Sequence, residues 1–199
     1  MEARPSICEQ FYAQSDDPWG FRTRWYEKRK RDIVVASLPR ARFGGCWELG
    51  CSVGELTAAL AMRCDRVFAT DGNARAVEEA RKRVRDFPHV QVEHQIHPDD
   101  WPNERFDLIV FSELGYNFER AALRELSERL RDALTADGML VACHWRYDIE
   151  GCPVNGNEVH ELLAEVLAMP RIVQHAEADF LLEIWSADGR SAAQLDGML

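Results

Sequence analysis

From Cys46 onward, short apolar runs alternate with stretches whose apolar residues recur every three or four positions. Cys46–Leu49, Val67–Thr70 and Val90–His94 read as strands, and the apolar run Phe106–Ser112 as a strand buried on both faces. Between them, Glu55–Arg63 reads as a helix with Leu56, Ala59 and Leu60 on one face. Ala74–Asp86 is a charged helix with Val77, Ala80 and Val84 as its apolar stripe. Arg120–Leu134 carries Leu123, Leu126, Leu130 and Leu134 at helical spacing. A turn at Thr135–Gly138 leads into a strand, Met139–Trp145, and a helix over Asn157–Met169 stops before Pro170. Arg171–Ala176 and Phe180–Ser186 read as a closing hairpin. This alternation predicts an α/β fold: a Rossmann-like, seven-stranded, doubly wound sheet, mostly parallel, with an antiparallel strand from the C-terminal hairpin.

The first 40 residues read differently. Trp19, Phe21, Trp25 and Tyr26 are interleaved with Arg22, Arg24, Lys28, Arg29, Lys30 and Arg31, and the pattern suits a helix over Trp25–Leu38 ended by Pro39. The expected organisation is an N-terminal helical segment over residues 1–40, the sheet domain over 41–187 and a flexible tail over 188–199. The segment reads as a helix with a solvated basic face, or as a lid in which Trp19, Arg24 and Tyr26 close over a ligand and exclude water.

Composition narrows the function. The chain has 199 residues, 46% of them hydrophobic, which suffices for one sizeable core but leaves no room for a separate substrate domain. A net charge of −10 repels phosphate backbones, so nucleic acid is not an expected partner. The Arg22–Arg31 cluster alone keeps an RNA-modifying reading open. No run approaches the length of a membrane span, and residues 1–10 lack the apolar core of a secretory signal. The six cysteines form no C-x-x-C pair and no zinc spacing, so reduced thiols, no bound metal and a cytoplasmic location are expected.

The most informative segment is Trp47-Glu-Leu-Gly50-Cys-Ser-Val-Gly54-Glu, between a strand and a helix. Such a loop lies at the carboxyl end of the sheet, where α/β proteins bind ligands. The dinucleotide pattern G-x-G-x-x-G fails, because Ser52 and Glu55 stand at its second and third glycine positions. A phosphate loop fails too, for want of a following G-K-[ST]. What is present is acidic-x-Gly-x-x-x-Gly, from Glu48 through Gly50 to Gly54. Twenty-one residues after Gly50, the strand Val67–Thr70 runs into Asp71, where a carboxylate can accept both hydroxyls of a ribose. Capping the next helix is the plainer role for Asp71. Glu113 stands at the end of the strand beside the first.

These motifs, taken together, resemble the class I S-adenosylmethionine (SAM) methyltransferases. The resemblance implies SAM as cofactor and S-adenosylhomocysteine as product. Its implied contacts are Trp19, Glu48, Gly50, Cys51, Ser52, Gly54, Asp71, Gly72, Trp101 and Glu113, the last under the sulfonium. Where many such enzymes place an acid near the adenine amino group, this chain has Ile96, so adenine recognition falls to backbone groups, Asp100 or Trp101. More narrowly, Asp16-Asp-Pro-Trp19, Tyr26-Glu-Lys-Arg29 and Ser112-Glu113-Leu-Gly-Tyr116 resemble the NodS-type methyltransferases, which N-methylate a glucosamine nitrogen in nodulation signals. Cys143-His144-Trp-Arg146 and Asn155-Gly-Asn-Glu-Val-His160 are similar to a bacterial subgroup related to NodS. The implied acceptor is a small molecule: an amine on a sugar or on another metabolite.

An amine must shed its proton before it attacks a methyl group, and a histidine suits that task. His144, at the end of the fifth strand, is the expected base, with Glu113 second. Arg146, His160 and Tyr116 are the candidate acceptor contacts. No lysine stands near the acidic and histidine candidates in sequence, which argues against a metal-assisted catechol-type site. Two alternatives stay open: O-methylation of a small molecule, and a SAM-binding subunit without catalysis.

Overall fold

The computed structural model describes the backbone over residues 7–199 and side chains from residue 11. The Cys8 side chain and the reading of the first six residues lie outside the described part. The elements, in order, are α1 (Ile7–Gln14), α2 (Trp25–Ser37), β1 (Phe43–Leu49), α3 (Glu55–Ala61), β2 (Cys64–Asp71), α4 (Ala74–Arg83), β3 (Val90–His94) and β4 (Phe106–Ser112). A 3-10 turn (Gly115–Asn117) follows, then α5 (Arg120–Asp132), β5 (Leu134–Trp145), α6 (Gly156–Leu167), β6 (Arg171–Ala176), β7 (Phe180–Ser186) and α7 (Ala192–Leu195). One sheet runs in the order β3-β2-β1-β4-β5-β7-β6, with β7 antiparallel to both its neighbours and all other pairs parallel. The strand order reverses between β1 and β4, which makes their carboxyl ends the ligand crevice of the fold.

Alternation along each strand builds two apolar layers. In β4, Ile109 and Phe111 face α5 and α6, joining Leu123, Leu126, Leu162 and Leu163. Leu108 and Val110 face the other side, joining Val34 from α2, Leu38 just after it and Leu60 from α3. Helix α2 is therefore part of the sheet's packing; Val34 is 2% exposed. Eight of the predicted elements differ from the observed ones at their ends. The most instructive is β5: Leu134 already pairs with Phe106, and the predicted turn at 135–138 bulges out before Met139 pairs with Leu108. A Cβ on Gly138 would stand 3.0 Å from the Phe106 carbonyl, so any larger residue would have to push that backbone aside. Two short helices, α1 and α7, were not expected; α7 lies in the tail, begins at a Ser191 capping box and brings Leu195 against the core.

The five described cysteines are free thiols, four of them buried. Among the described residues, no helix is long and apolar enough to cross a membrane.

Candidate active site

The β1–α3 loop turns tightly because Gly50, Ser52 and Gly54 all adopt left-handed backbone conformations. At Gly54 the requirement is steric as well: a Cβ would lie 2.9 Å from the Cα of Ala80 in α4. Gly54 thus sets helix packing, and it does not line the adjoining pocket. At the end of β2, Asp71 Oδ2 accepts the Ser52 N–H (2.8 Å) and Oδ1 accepts the Asn73 N–H (2.8 Å). The side chain of Asn73, not Asp71, caps α4. Burial raises the Asp71 pKa, and the two backbone donors pull it back down. One lone pair on each oxygen remains for another donor. Gly72 follows, its carbonyl accepting from His94.

A pocket opens between this loop, the end of β4 and the inner face of α2. Its walls include Glu48, Gly50, Cys51, Ser52 and Glu113, together with Phe21, Glu27 and Lys30 from the N-terminal segment. Glu48 is 2% exposed, and its Oε2 has no hydrogen-bond partner. Burial pushes its carboxyl up to about 8. Glu48 therefore holds its proton near neutrality until a cation comes beside it.

Glu113 has a left-handed backbone, φ 54°. Its Oε1 accepts from the Lys30 ammonium at 2.7 Å, and its Oε2 accepts from the Tyr116 hydroxyl at 2.5 Å and, at 3.4 Å, from the Trp145 N–H. Lys30 also pairs with Glu27 at 3.0 Å and lies over the Tyr26 ring. Burial works against the Lys30 charge, but Glu113 and Glu27 outweigh it and hold the ammonium above its ordinary range. Burial raises the Glu27 pKa, and Lys30 opposes that shift. Lys30, Glu27 and Phe21 were not among the expected site residues, and although no lysine stands near Glu113 in sequence, the fold brings Lys30 beside it. Lys30 lies four residues after Tyr26 and four before Val34, on the core-facing stripe of α2; that spacing is the signal that marks it.

Several expected site residues lie elsewhere. His144 is wholly buried; its Nε2 accepts the Gly115 N–H (3.1 Å) and its Nδ1 faces His160 Nε2 (3.1 Å). With both ring nitrogens occupied, and burial holding its pKa well below the ordinary range, His144 is not placed as a base for a substrate in the pocket. His160 is 2% exposed and bonds Glu183, so it does not reach an acceptor. Arg146 is used structurally, donating to Asn157 and to the Glu177 carbonyl. Trp101 packs edge-on against Trp47 (4.7 Å) beneath the Arg129 guanidinium, away from the pocket. Asp100 accepts the Ile96 N–H. Trp19 joins Phe11, Tyr12 and Phe21 in an aromatic cluster over Val53 and Ala76, and Tyr12 meets the Ser52 hydroxyl. Tyr26 packs on Trp145 and Phe180. Tyr116 reaches the site through Glu113 alone among the bonds described.

A sequence model of the family described as nodulation protein S (NodS) matches residues 9–169. The chain belongs to the nodulation protein S family. Nodulation protein S of Sinorhizobium fredii is 29% identical over 129 residues, covering 64% of this chain and 60% of that relative. The Rhizobium tropici protein is 30% identical over 129 residues, covering 64% and 54%. The match thus spans between half and three fifths of these relatives' own length. Among solved structures, N-methyltransferase NodS from Bradyrhizobium japonicum WM9, in complex with S-adenosyl-L-homocysteine, superposes with a TM-score of 0.78 at 26% identity, covering 87% of this chain and 93% of that one. A protein from Pseudomonas syringae described as a candidate methyltransferase is 47% identical, with a TM-score of 0.72 and coverage of 82% and 99%. The family's fold is the seven-stranded, mostly parallel sheet found here.

Proposed function

We propose that the protein is a SAM-dependent N-methyltransferase acting on an amine of a small molecule, an amino-sugar being the first candidate. The observation that carries this reading is a single crevice, at the β1/β4 switch point, lined by two acids of different character. Glu48 offers a buried, unpartnered Oε2, which suits the cationic methionyl end of SAM. Gly50, Cys51 and Ser52 form the adjoining wall, and Asp71, beside Gly72, has lone pairs left for a ribose diol.

When bound, SAM supplies an electrophilic methyl group that the acceptor displaces in line. Glu113 sits at the mouth of β4 and takes the role first expected of His144: it draws the ammonium form of the acceptor in and receives its proton. Lys30 holds one oxygen of Glu113, and the Tyr116 hydroxyl fixes the direction of the second. Phe21 lines the pocket on the N-terminal side, and the Tyr12–Trp19 cluster packs against Phe21 and Val53.

Incubation of the protein with SAM and a panel of amino-sugars, simple amines and their hydroxyl analogues tests the reading. The expected result is a product heavier by one methylene from an amine, with equimolar S-adenosylhomocysteine. Transfer only to the hydroxyl analogues would overturn the nitrogen assignment.

A further inference from the structure

We propose that His144, His160 and Glu183 form a buried positioning chain that holds the Glu113–Tyr116 turn in its working geometry through the Gly115 N–H. The proposal rests on the reading of Glu113 given above, but it is carried by the hydrogen-bond pattern alone. A backbone N–H can only donate, so His144 Nε2 must be the unprotonated nitrogen where it meets Gly115 at 3.1 Å. The ring proton then sits on Nδ1, which donates to His160 Nε2 at 3.1 Å. That in turn leaves the His160 proton on Nδ1, donating to Glu183 Oε2 at 2.8 Å. Glu183 Oε1 accepts from Arg171 and from Gln174 at 3.0 Å. Every ring nitrogen has one role, and the three bonds run in one direction, from the turn beside Glu113 to Glu183 on β7, where the donors of the outer strand β6 meet them.

Such a chain does not conduct protons, because its inner end is an amide. A cationic His144 would aim an N–H at the Gly115 N–H, so the ring stays neutral, as its complete burial also requires. What the chain supplies is rigidity where the backbone needs it. Glu113 is a non-glycine residue in the left-handed region, a conformation that costs about 1–2 kcal/mol and persists only when its surroundings enforce it. Two residues on, a Cβ at Gly115 would stand 2.6 Å from Val159 and 3.0 Å from His144 Nε2, so the turn is packed directly on the ring. Helix α6 is seated with equal closeness: a Cβ on Gly156 would stand 2.0 Å from the Trp145 carbonyl, and Asn155 and Glu158 form a capping box. His144 and His160 are thus fixed from both elements that carry them, and through them so is the carboxylate.

The test compares His144→Gln with His144→Leu in the full chain. A glutamine amide can accept from Gly115 through its oxygen and donate to His160 through its nitrogen; leucine can do neither. The expected result is that kcat in the glutamine variant stays within about threefold of wild type, with the acid limb of its pH profile unmoved. In the leucine variant kcat falls about 30-fold while affinity for S-adenosylhomocysteine stays within about threefold, and the Gly115 amide exchanges its hydrogen faster. Loss of the acid limb in the glutamine variant would overturn the proposal and return His144 to the role of base. Unchanged kcat and Gly115 exchange in the leucine variant would also overturn it. Should the leucine variant fail to fold, nitrogen NMR of the wild-type protein decides. Both rings are expected as fixed Nδ1–H tautomers at neutral pH, and a His144 signal that titrates around neutrality would contradict the chain. If the wild-type protein methylates no amine, the functional reading fails, while the exchange and NMR results still decide the positioning chain.

Discussion

Replacing Glu113 by Gln is expected to lower methyl transfer by about 10²–10³-fold while weakening SAM binding by no more than about tenfold. Glutamine matches glutamate in size and keeps an oxygen for the Tyr116 hydroxyl, so the turn and its left-handed backbone are retained. What disappears is the negative charge at the end of β4 and the capacity to receive a proton from the acceptor. Lys30 keeps Glu27 as a partner, so no buried ammonium is stranded. The loss should therefore appear in kcat rather than in folding. Steady-state kinetics beside calorimetric SAM affinity separates the two, and an unchanged kcat would show that the carboxylate neither takes the proton nor orients the acceptor.

The second large effect is expected from Lys30→Met, which keeps the length of the side chain and removes the charge. The ammonium lies within 3.0 Å of both Glu27 and Glu113, and all three side chains are less than one-fifth exposed. Without it, two carboxylates face each other in a desolvated wall, and one of them takes up a proton. The sign follows from the shifts. Lys30 has a folded-state pKa raised above its unfolded value, so its stabilisation is complete below about pH 10 and is lost only as pH rises through the higher folded value. The wild-type protein should thus show no stability change from Lys30 across neutrality. In the variant, the Glu27 pKa, already raised by burial, loses the cation that opposes the shift and rises further. Stability should fall by about 3 kcal/mol at neutral pH, and the acid limb of the activity profile should move upward by about 1–2 pH units. Chemical denaturation at several pH values and a pH–rate profile measure both. A profile that stays in place would mean that Lys30 does not act on the acids lining the pocket.

Local features of the site were legible in the sequence because a few residues of chain determine them. Glu48, Gly50 and Gly54 owe their positions to one tight turn, and Asp71 to the end of the adjoining strand. The doubly wound, mostly parallel sheet followed from the alternation of apolar runs and helices. Lys30 and Glu113 are 83 residues apart, so nothing local joins them. The basic run Arg22–Arg31 looked like a solvated face, and only the four-residue spacing of Tyr26, Lys30 and Val34 shows that one of its cations turns inward. His144 was misread for a comparable reason. Ending a strand at the carboxyl edge brings a residue near the crevice, but strand alternation decides which way its side chain points. Cys143 packs in the layer with α2, so His144 faces the opposite one, where α6 presents His160. Trp101 lies in the long connection that replaces a helix between β3 and β4, and such a connection carries no periodicity from which its path can be read.

Isothermal titration with S-adenosylhomocysteine tests most directly whether the crevice between β1, β4 and α2 is a SAM site. The account predicts binding of one ligand per chain, weakened by about 10- to 100-fold in Asp71→Ala, which removes the carboxylate left open for the ribose. A flat isotherm for the wild-type protein, or binding that Asp71→Ala leaves unchanged, would contradict it.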